Sequence, residues 1–163
     1  MSTPVRLELQ IAGNADGLPA ESEIQEWLEQ ALLVASPDGM CNREIVVRVV
    51  DEAESRDLNR RYRRKDRATN VLAFPAAGPG EFPATTGIGE TALGDLVLCG
   101  PVIAREAAEQ CKDVAAHWGH MLVHGTLHLL GYGHGTDDEA ARMESLETRI
   151  LAARGVADPY APR

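Results

Sequence analysis

The stretch HGTLHLLGYGH, residues 124–134, spaces three imidazoles as a metal ion would need them. His124 and His128 are four apart, so on a helix they share one face about a turn apart. Gly131 can end the helix and turn the chain back, which lets His134 supply a third nitrogen. Three protein ligands leave the fourth position to water, the arrangement of a catalytic zinc site. The spacing matches the zinc-protease pattern H-E-x-x-H-x-x-G-x-x-H, but Gly125 stands where that pattern carries its glutamate base. Glycine accepts no proton, so conventional peptide cleavage loses its base. Three neutral histidines also leave the ion its full positive charge, which suits an anionic substrate such as a phosphodiester.

Two further histidines lie upstream, His117 and His120. His120 and His128 would be about 12 Å apart along a helix at 1.5 Å per residue, so His120, His124 and His128 cannot share one ion. His117 and His120 are therefore expected to support the ligands, line the pocket or simply pack in the core. A second feature is RRYRRKDR, where Arg60, Arg61, Arg63, Arg64, Lys65 and Arg67 bring six of the sixteen basic residues into eight positions. A helix C-terminus attracts one or two cations by its dipole. Six in an acidic chain point to phosphate contact, which arginine makes through paired hydrogen bonds. Tyr62, within the run, suits either stacking on a base or packing in the core. The acidic Asp137, Asp138 and Glu139 sit in the first turn of a helix, where the dipole accounts for them. Met143 falls in helical register with Leu146 and Ile150 and reads as core.

The elements that must carry these groups are legible in the periodicity. VRLELQIA (5–12) alternates as a strand, EIVVRVV (44–50) is a buried strand, and TNVLAFP (69–75) and GDLVLC (94–99) are shorter ones. SEIQEWLEQALLVA is a helix with Ser22 and Gln25 spaced as a capping box. Asp51 caps a helix to about Tyr62, and Gly100 and Pro101 open another. A further helix spans about 114–130, and Thr136 with Glu139 starts a last one near another capping box, ending about Arg154. Residues 76–93, rich in Gly, Pro and Thr, read as a long loop, and 155–163 as a tail. The expected fold is α+β: one compact domain over 1–163, with a mixed sheet of about four strands covered by helices and a metal site on a helix and the turn after it.

The composition allows this. The chain has 163 residues, 44% hydrophobic and 25% charged, with a net charge of −9, so it is no generic polyanion binder and any nucleic-acid contact must be local. Cys41, Cys99 and Cys111 show no CxxC spacing and fit a reducing compartment, with Cys99 and Cys111 expected as buried thiols. No segment resembles a signal peptide and no apolar run is long enough to cross a membrane, so a soluble cytosolic protein with no membrane partner is expected.

The motifs together are familiar. HGTLHLLGYGH, with YRRKDRATNVLAFP, LGDLVLC, AHWGHMLVHG and MESLE, resembles the bacterial YbeY family of metal-dependent endoribonucleases over most of the chain. The resemblance implies a single-strand-acting ribonuclease in ribosomal RNA processing, notably at the 3′ end of small-subunit RNA, and in ribosome quality control. It implies one zinc on His124, His128 and His134, a functional arginine at Arg63, and an activity-critical role for His124. The other basic residues, Arg60, Arg61, Arg64, Lys65 and Arg67, are expected to contact the RNA. One departure is Gly133, where the family usually has aspartate before the third histidine. Two rivals remain: a zinc hydrolase of another substrate such as a peptidase, which Gly125 opposes, and a non-catalytic ribosome assembly factor that would bind RNA without cutting it.

Overall fold

A computed structural model describes residues 5–36, 43–76, 92–133 and 135–160. Cys41, His134 and most of the 76–93 segment lie outside the described residues. In chain order the elements are β1 (Val5–Ile11), α1 (Glu21–Ala35), β2 (Arg43–Val50), α2 (Glu52–Arg63), β3 (Val71–Pro75), β4 (Ala92–Cys99), α3 (Gly100–Glu109), α4 (Val114–Leu129) and α5 (Asp137–Ala152). The four strands form one mixed sheet in the order β1-β2-β4-β3. β1, β2 and β4 run parallel, and β3 pairs antiparallel with β4 at the edge.

The period-two pattern of β2 and β4 explains two cores. Ile45, Val47, Val49, Leu96 and Leu98 face a large core shared with α1, α4 and α5, including Leu28, Trp118, Leu122, Met143 and Ile150. The alternate residues Val50, Val97 and Cys99 join Leu72, Phe74, Leu58 of α2 and Val102 of α3 in a smaller core on the opposite face. The sheet is thus covered on both sides, as parallel strands require.

The capping expectations divide. The Thr136 hydroxyl accepts the Glu139 N–H at 3.1 Å, as the spacing anticipated. Ser22 does not cap α1, because the helix begins one residue earlier at Glu21 after Ala20. Gln25 instead ties α1 to the sheet, donating to the Val5 carbonyl at 2.6 Å. Asp51 sits at the N-cap of α2 with extended backbone but makes no side-chain cap bond. Cys99 is buried, whereas Cys111 is exposed, against expectation. The reason is that α3 stops at Glu109, so Cys111 falls in the turn that follows, with φ 55°.

One buried charge stands out. Glu8, Val46, Asp95 and Phe74 lie in a single row across the four strands. Asp95 is 4% exposed. Burial, then the Glu8 charge, pushes its carboxyl up to about 6. A carboxyl with a raised native pKa favours folding while protonated, so its contribution is present below about pH 4 and is lost as pH rises to about 6. Asp95→Asn is expected to remove that loss and raise stability at pH 7 by ~1–3 kcal/mol. Denaturant unfolding of both proteins from pH 4 to pH 7.5 checks it, and parallel curves would refute it.

Candidate active site

The site is built on α4, a helix buried on nearly every side. Gly125 is its point of closest approach to the sheet. A Cβ there would meet Leu96 Cδ2 at 2.8 Å and Val71 Cγ2 at 3.1 Å. Leu96 is fully buried and has little space to yield into, whereas Val71 is half-buried at the cleft. Gly119 makes a similar contact one and a half turns earlier, where a Cβ would meet Trp27 at 2.5 Å. The glycine in the place of a protease glutamate is therefore a close-packing residue on β3 and β4 that also lines the space beside the histidines, where it offers no side chain.

The residues flanking Gly125 on the helix surface carry the chemistry. His124 Nε2 and His128 Nε2 lie 3.2 Å apart. Two ligands held at ~2.05 Å in a tetrahedron are separated by about 3.3 Å, so this pair fits one ion. The other ring nitrogen of His124 is engaged: Nδ1 lies 3.1 Å from Glu147 Oε2. With Nδ1–H donating to a carboxylate, Nε2 presents its lone pair, which is the tautomer a metal ligand needs. Among the described residues no group of three or more His, Cys, Asp or Glu forms a complete ligand set. His134, the expected third ligand, lies outside them, although the turn that leads to it is present. Gly131 adopts φ 99°, and the Tyr132 N–H returns to the Leu127 carbonyl at 3.0 Å.

Glu147 was not singled out from the sequence, yet it organises the site. It is fully buried on α5. His120 Nε2 lies 2.9 Å from Oε2, and the Tyr160 hydroxyl donates to Oε1 at 2.9 Å. Burial raises its pKa, but the hydrogen bonds from His120 and His124 outweigh that and hold the carboxyl at about 2. His120 is pushed the other way: burial lowers its pKa despite Glu147, so the pair is a carboxylate receiving bonds from neutral imidazole. His120 is thus a support beside the site, as its spacing implied. Tyr160 lies in the segment read as a tail, which folds back far enough to bond Glu147. His117 belongs to a parallel pair, with Nε2 2.9 Å from Glu106 Oε1. Glu106 also accepts from Asn70 Nδ2 at 3.1 Å, which links α3 and α4 to the first residue before β3.

His124 and His128 open onto a cleft of about 380 Å³ whose other wall is β3, the sheet edge, and Arg63. Arg63 ends α2 and donates from Nη2 to the Ala73 carbonyl at 2.8 Å, with its guanidinium 5.3 Å from the Phe74 ring centre. Two buried polar residues of α2 fix this wall. Ser55 Oγ donates to the Thr69 carbonyl at 3.0 Å and accepts the Thr69 N–H at 2.9 Å, and Asn59 Nδ2 donates to the Arg67 carbonyl at 2.9 Å. Arg64, at φ 59°, turns the chain out of the helix between them. Of the six basic residues, Arg63 alone lines the cleft. Arg60 and Arg61 are exposed and pair with Asp57 at 2.9 and 3.3 Å. Arg64, Lys65 and Arg67 are exposed on the adjoining turn. Tyr62 packs edge-on against Phe74, with ring centres 5.5 Å apart, and so belongs to the smaller core. Gly133 keeps out of the left-handed region, and a Cβ on it would lie 3.6 Å from Glu139 Oε2. Space for a side chain exists there, next to a carboxylate already in place.

The model of a known family, described as endoribonuclease YbeY, matches residues 11–155. The chain belongs to the YbeY endoribonuclease family. The fold is also that of a solved protein, TM1509 from Thermotoga maritima, whose solution structure is 22% identical in sequence, with a TM-score of 0.51 over 95% of this chain and 100% of that one. As a YbeY-family member the chain is a nuclease acting on RNA. No helix among the described residues is long and apolar enough to cross a membrane.

Two outcomes follow from the geometry. Gly125→Ala is expected to cost ~1–3 kcal/mol through overpacking against Leu96 and Val71 and to displace the flanking histidines. Thermal unfolding measures the first, and cleavage of RNA the second. An alanine variant with native stability and activity would show that the helix has slack at this point. For Glu147, a depressed native pKa contributes stability above about pH 4.5 that is lost as pH falls towards 2. Glu147→Gln is expected to be less stable at pH 7 and to lack much of the acid-induced loss between those values, as chemical denaturation at each pH would read.

Proposed function

We propose that this chain is a zinc-dependent endoribonuclease selective for single-stranded RNA. Its place would be ribosomal RNA processing at the 3′ end of small-subunit RNA, with a part in ribosome quality control, in the bacterial cytoplasm. The observation that carries the reading is the meeting of the His124–His128 nitrogen pair and Arg63 across one cleft. His124 and His128, with His134, would hold one zinc. When bound, zinc would polarise a phosphoryl oxygen or lower the pKa of a water.

The chain's own residues supply binding and orientation. Arg63 keeps donors beyond those given to the Ala73 carbonyl and, at 3.4 Å, the Tyr62 carbonyl, and can grip two oxygens of a phosphate, stabilising charge as it develops there. Glu147 fixes the ring of His124 and the proton on its Nδ1. The exposed Arg60, Arg61, Arg64, Lys65 and Arg67 would attract the strand along the approach to the cleft; the Asp57 partnership makes Arg60 and Arg61 the weaker contributors. Peptide cleavage is disfavoured because Gly125, the position next to the first histidine, carries no carboxylate to act as a base.

The test joins metal content to cleavage of single- and double-stranded RNA. The purified protein is expected to carry about one zinc per chain, and His128→Ala to lose both metal and cleavage. Arg63→Ala should retain zinc and fold yet lose cleavage by about 10²-fold or more, and Arg63→Lys should remain impaired for want of the two-pronged contact. Full activity in Arg63→Ala, or undiminished metal in His128→Ala, would overturn the assignment.

A further inference from the structure

The cleft does not end at Arg63. Pro75 lines it on one side and on the other lines a larger pocket of about 640 Å³. That pocket is bounded by the residues that directly follow His128, from Leu129 to Gly133, together with Leu93 of β4, Arg43 at the start of β2 and Arg142 of α5. The two spaces thus adjoin at Pro75, beside the end of α4.

Its two arginines differ from most others in the chain. Arg48, Arg56, Arg60, Arg61 and Arg105 are each bound to a carboxylate, at 2.6, 2.7, 2.9, 3.3 and 2.8 Å. Arg43 and Arg142 have no ion pair among the described residues. Arg43 gives one N–H to the Ala92 carbonyl at 3.3 Å, while its Nε is buried without a partner. A buried donor left unmatched costs stability, and the remaining guanidinium nitrogens are not held by a carboxylate among the described residues. Arg142 is exposed, its guanidinium 5.5 Å from the centre of the Tyr132 ring. The Tyr132 hydroxyl is tied to the Ala35 carbonyl at 3.1 Å, which holds that ring in place. Among the described residues of the lining, Glu139 alone brings negative charge. Two guanidiniums, a fixed aromatic ring and the apolar surface of Leu93 and Leu129 are what an unstacked nucleotide needs.

We propose that this pocket binds the nucleotide next to the one whose phosphate lies at Arg63. Its phosphate sits on Arg43 and Arg142, and its base lies against Tyr132 and Leu129. The proposal rests on the endoribonuclease reading and deepens it. It gives a physical reason for single-strand selectivity, because a base must leave its stack to enter, and a duplex resists that.

The experiment compares the native holoprotein, Arg43→Ala with Arg142→Ala combined, and Arg105→Ala as a control with a carboxylate-bound arginine elsewhere. Steady-state cleavage of a short labelled single-stranded RNA is measured over a range of salt. In the double variant KM is expected to rise about tenfold or more with kcat within about twofold. The slope of log KM against log salt should fall by about 1.4, for two lost phosphate contacts on a single strand. Replacing both residues with lysine should restore most of the salt slope. Unchanged KM and slope would overturn the proposal, as would loss of zinc or of folded structure in step with KM. Should the native protein fail to cut RNA, the functional reading falls by itself. Binding of the same RNA by fluorescence anisotropy then still decides the pocket: weakened binding in the double variant sustains it, and equal binding removes it.

Discussion

The contact of Gly125 with Leu96 and Val71 is the constraint on which the rest of the site depends. A helix can come this close to a sheet only where it offers no side chain, and the closeness sets where its neighbours on the helix emerge. His124 and His128 leave the helix on the side of β3, the sheet edge, and so face Arg63 across a narrow cleft. If the helix stood off by the thickness of a methyl group, the imidazoles and the guanidinium would no longer bound one space. Glycine at this position also supplies no carboxylate to act as a protease base. A single glycine thus withholds one chemistry and shapes the geometry for another.

The imidazole pair needs a second constraint, because a helix fixes only the Cα positions. Ring orientation comes from α5, where Glu147 is buried and receives bonds from both His120 and His124. A buried carboxylate is costly unless its oxygens are satisfied, and here Tyr160 completes the set. The cost and the function are connected: the bonds from His120 and His124 keep Glu147 charged against its burial, so the network makes the site part of the folding unit. Helices α4 and α5 and the chain beyond α5 are held by one polar cluster under the same rings.

What the sequence disclosed follows from the range of each signal. The four strands and five helices were legible because burial on two faces writes period-two and helical patterns locally. Gly131 and Thr136 were legible because turn and cap chemistry involves neighbours in sequence. Ser22 misled because a capping spacing is a pattern of types, and the helix started one residue earlier. Arg63 could not be told from Arg60 or Arg61 by spacing: all end the same helix, and what separates them is an aspartate on one flank and β3 on the other. Glu147 is 23 residues from His124, on another helix, in register with core residues. Its sequence signals were a carboxylate at an otherwise apolar position of α5, between Met143 and Ile150, and its place at the end of MESLE, neither of which pointed to a role.

The charge distribution joins these levels. A chain of net charge −9 repels a polyanion at long range, so productive contact with RNA must be short-range and local. Pairing most of its arginines with carboxylates neutralises much of the surface where contact would be non-productive. Along the groove from Arg63 past Pro75 to Arg43 and Arg142, guanidiniums are instead turned towards carbonyls, an aromatic ring or nothing described. Carbonyl contacts are weaker than ion pairs and are readily exchanged for phosphate oxygens. On the proposed reading these are the cations left available to RNA on an acidic body. Discrimination would then rest on shape: a strand would have to give up base stacking to enter, which a double helix resists.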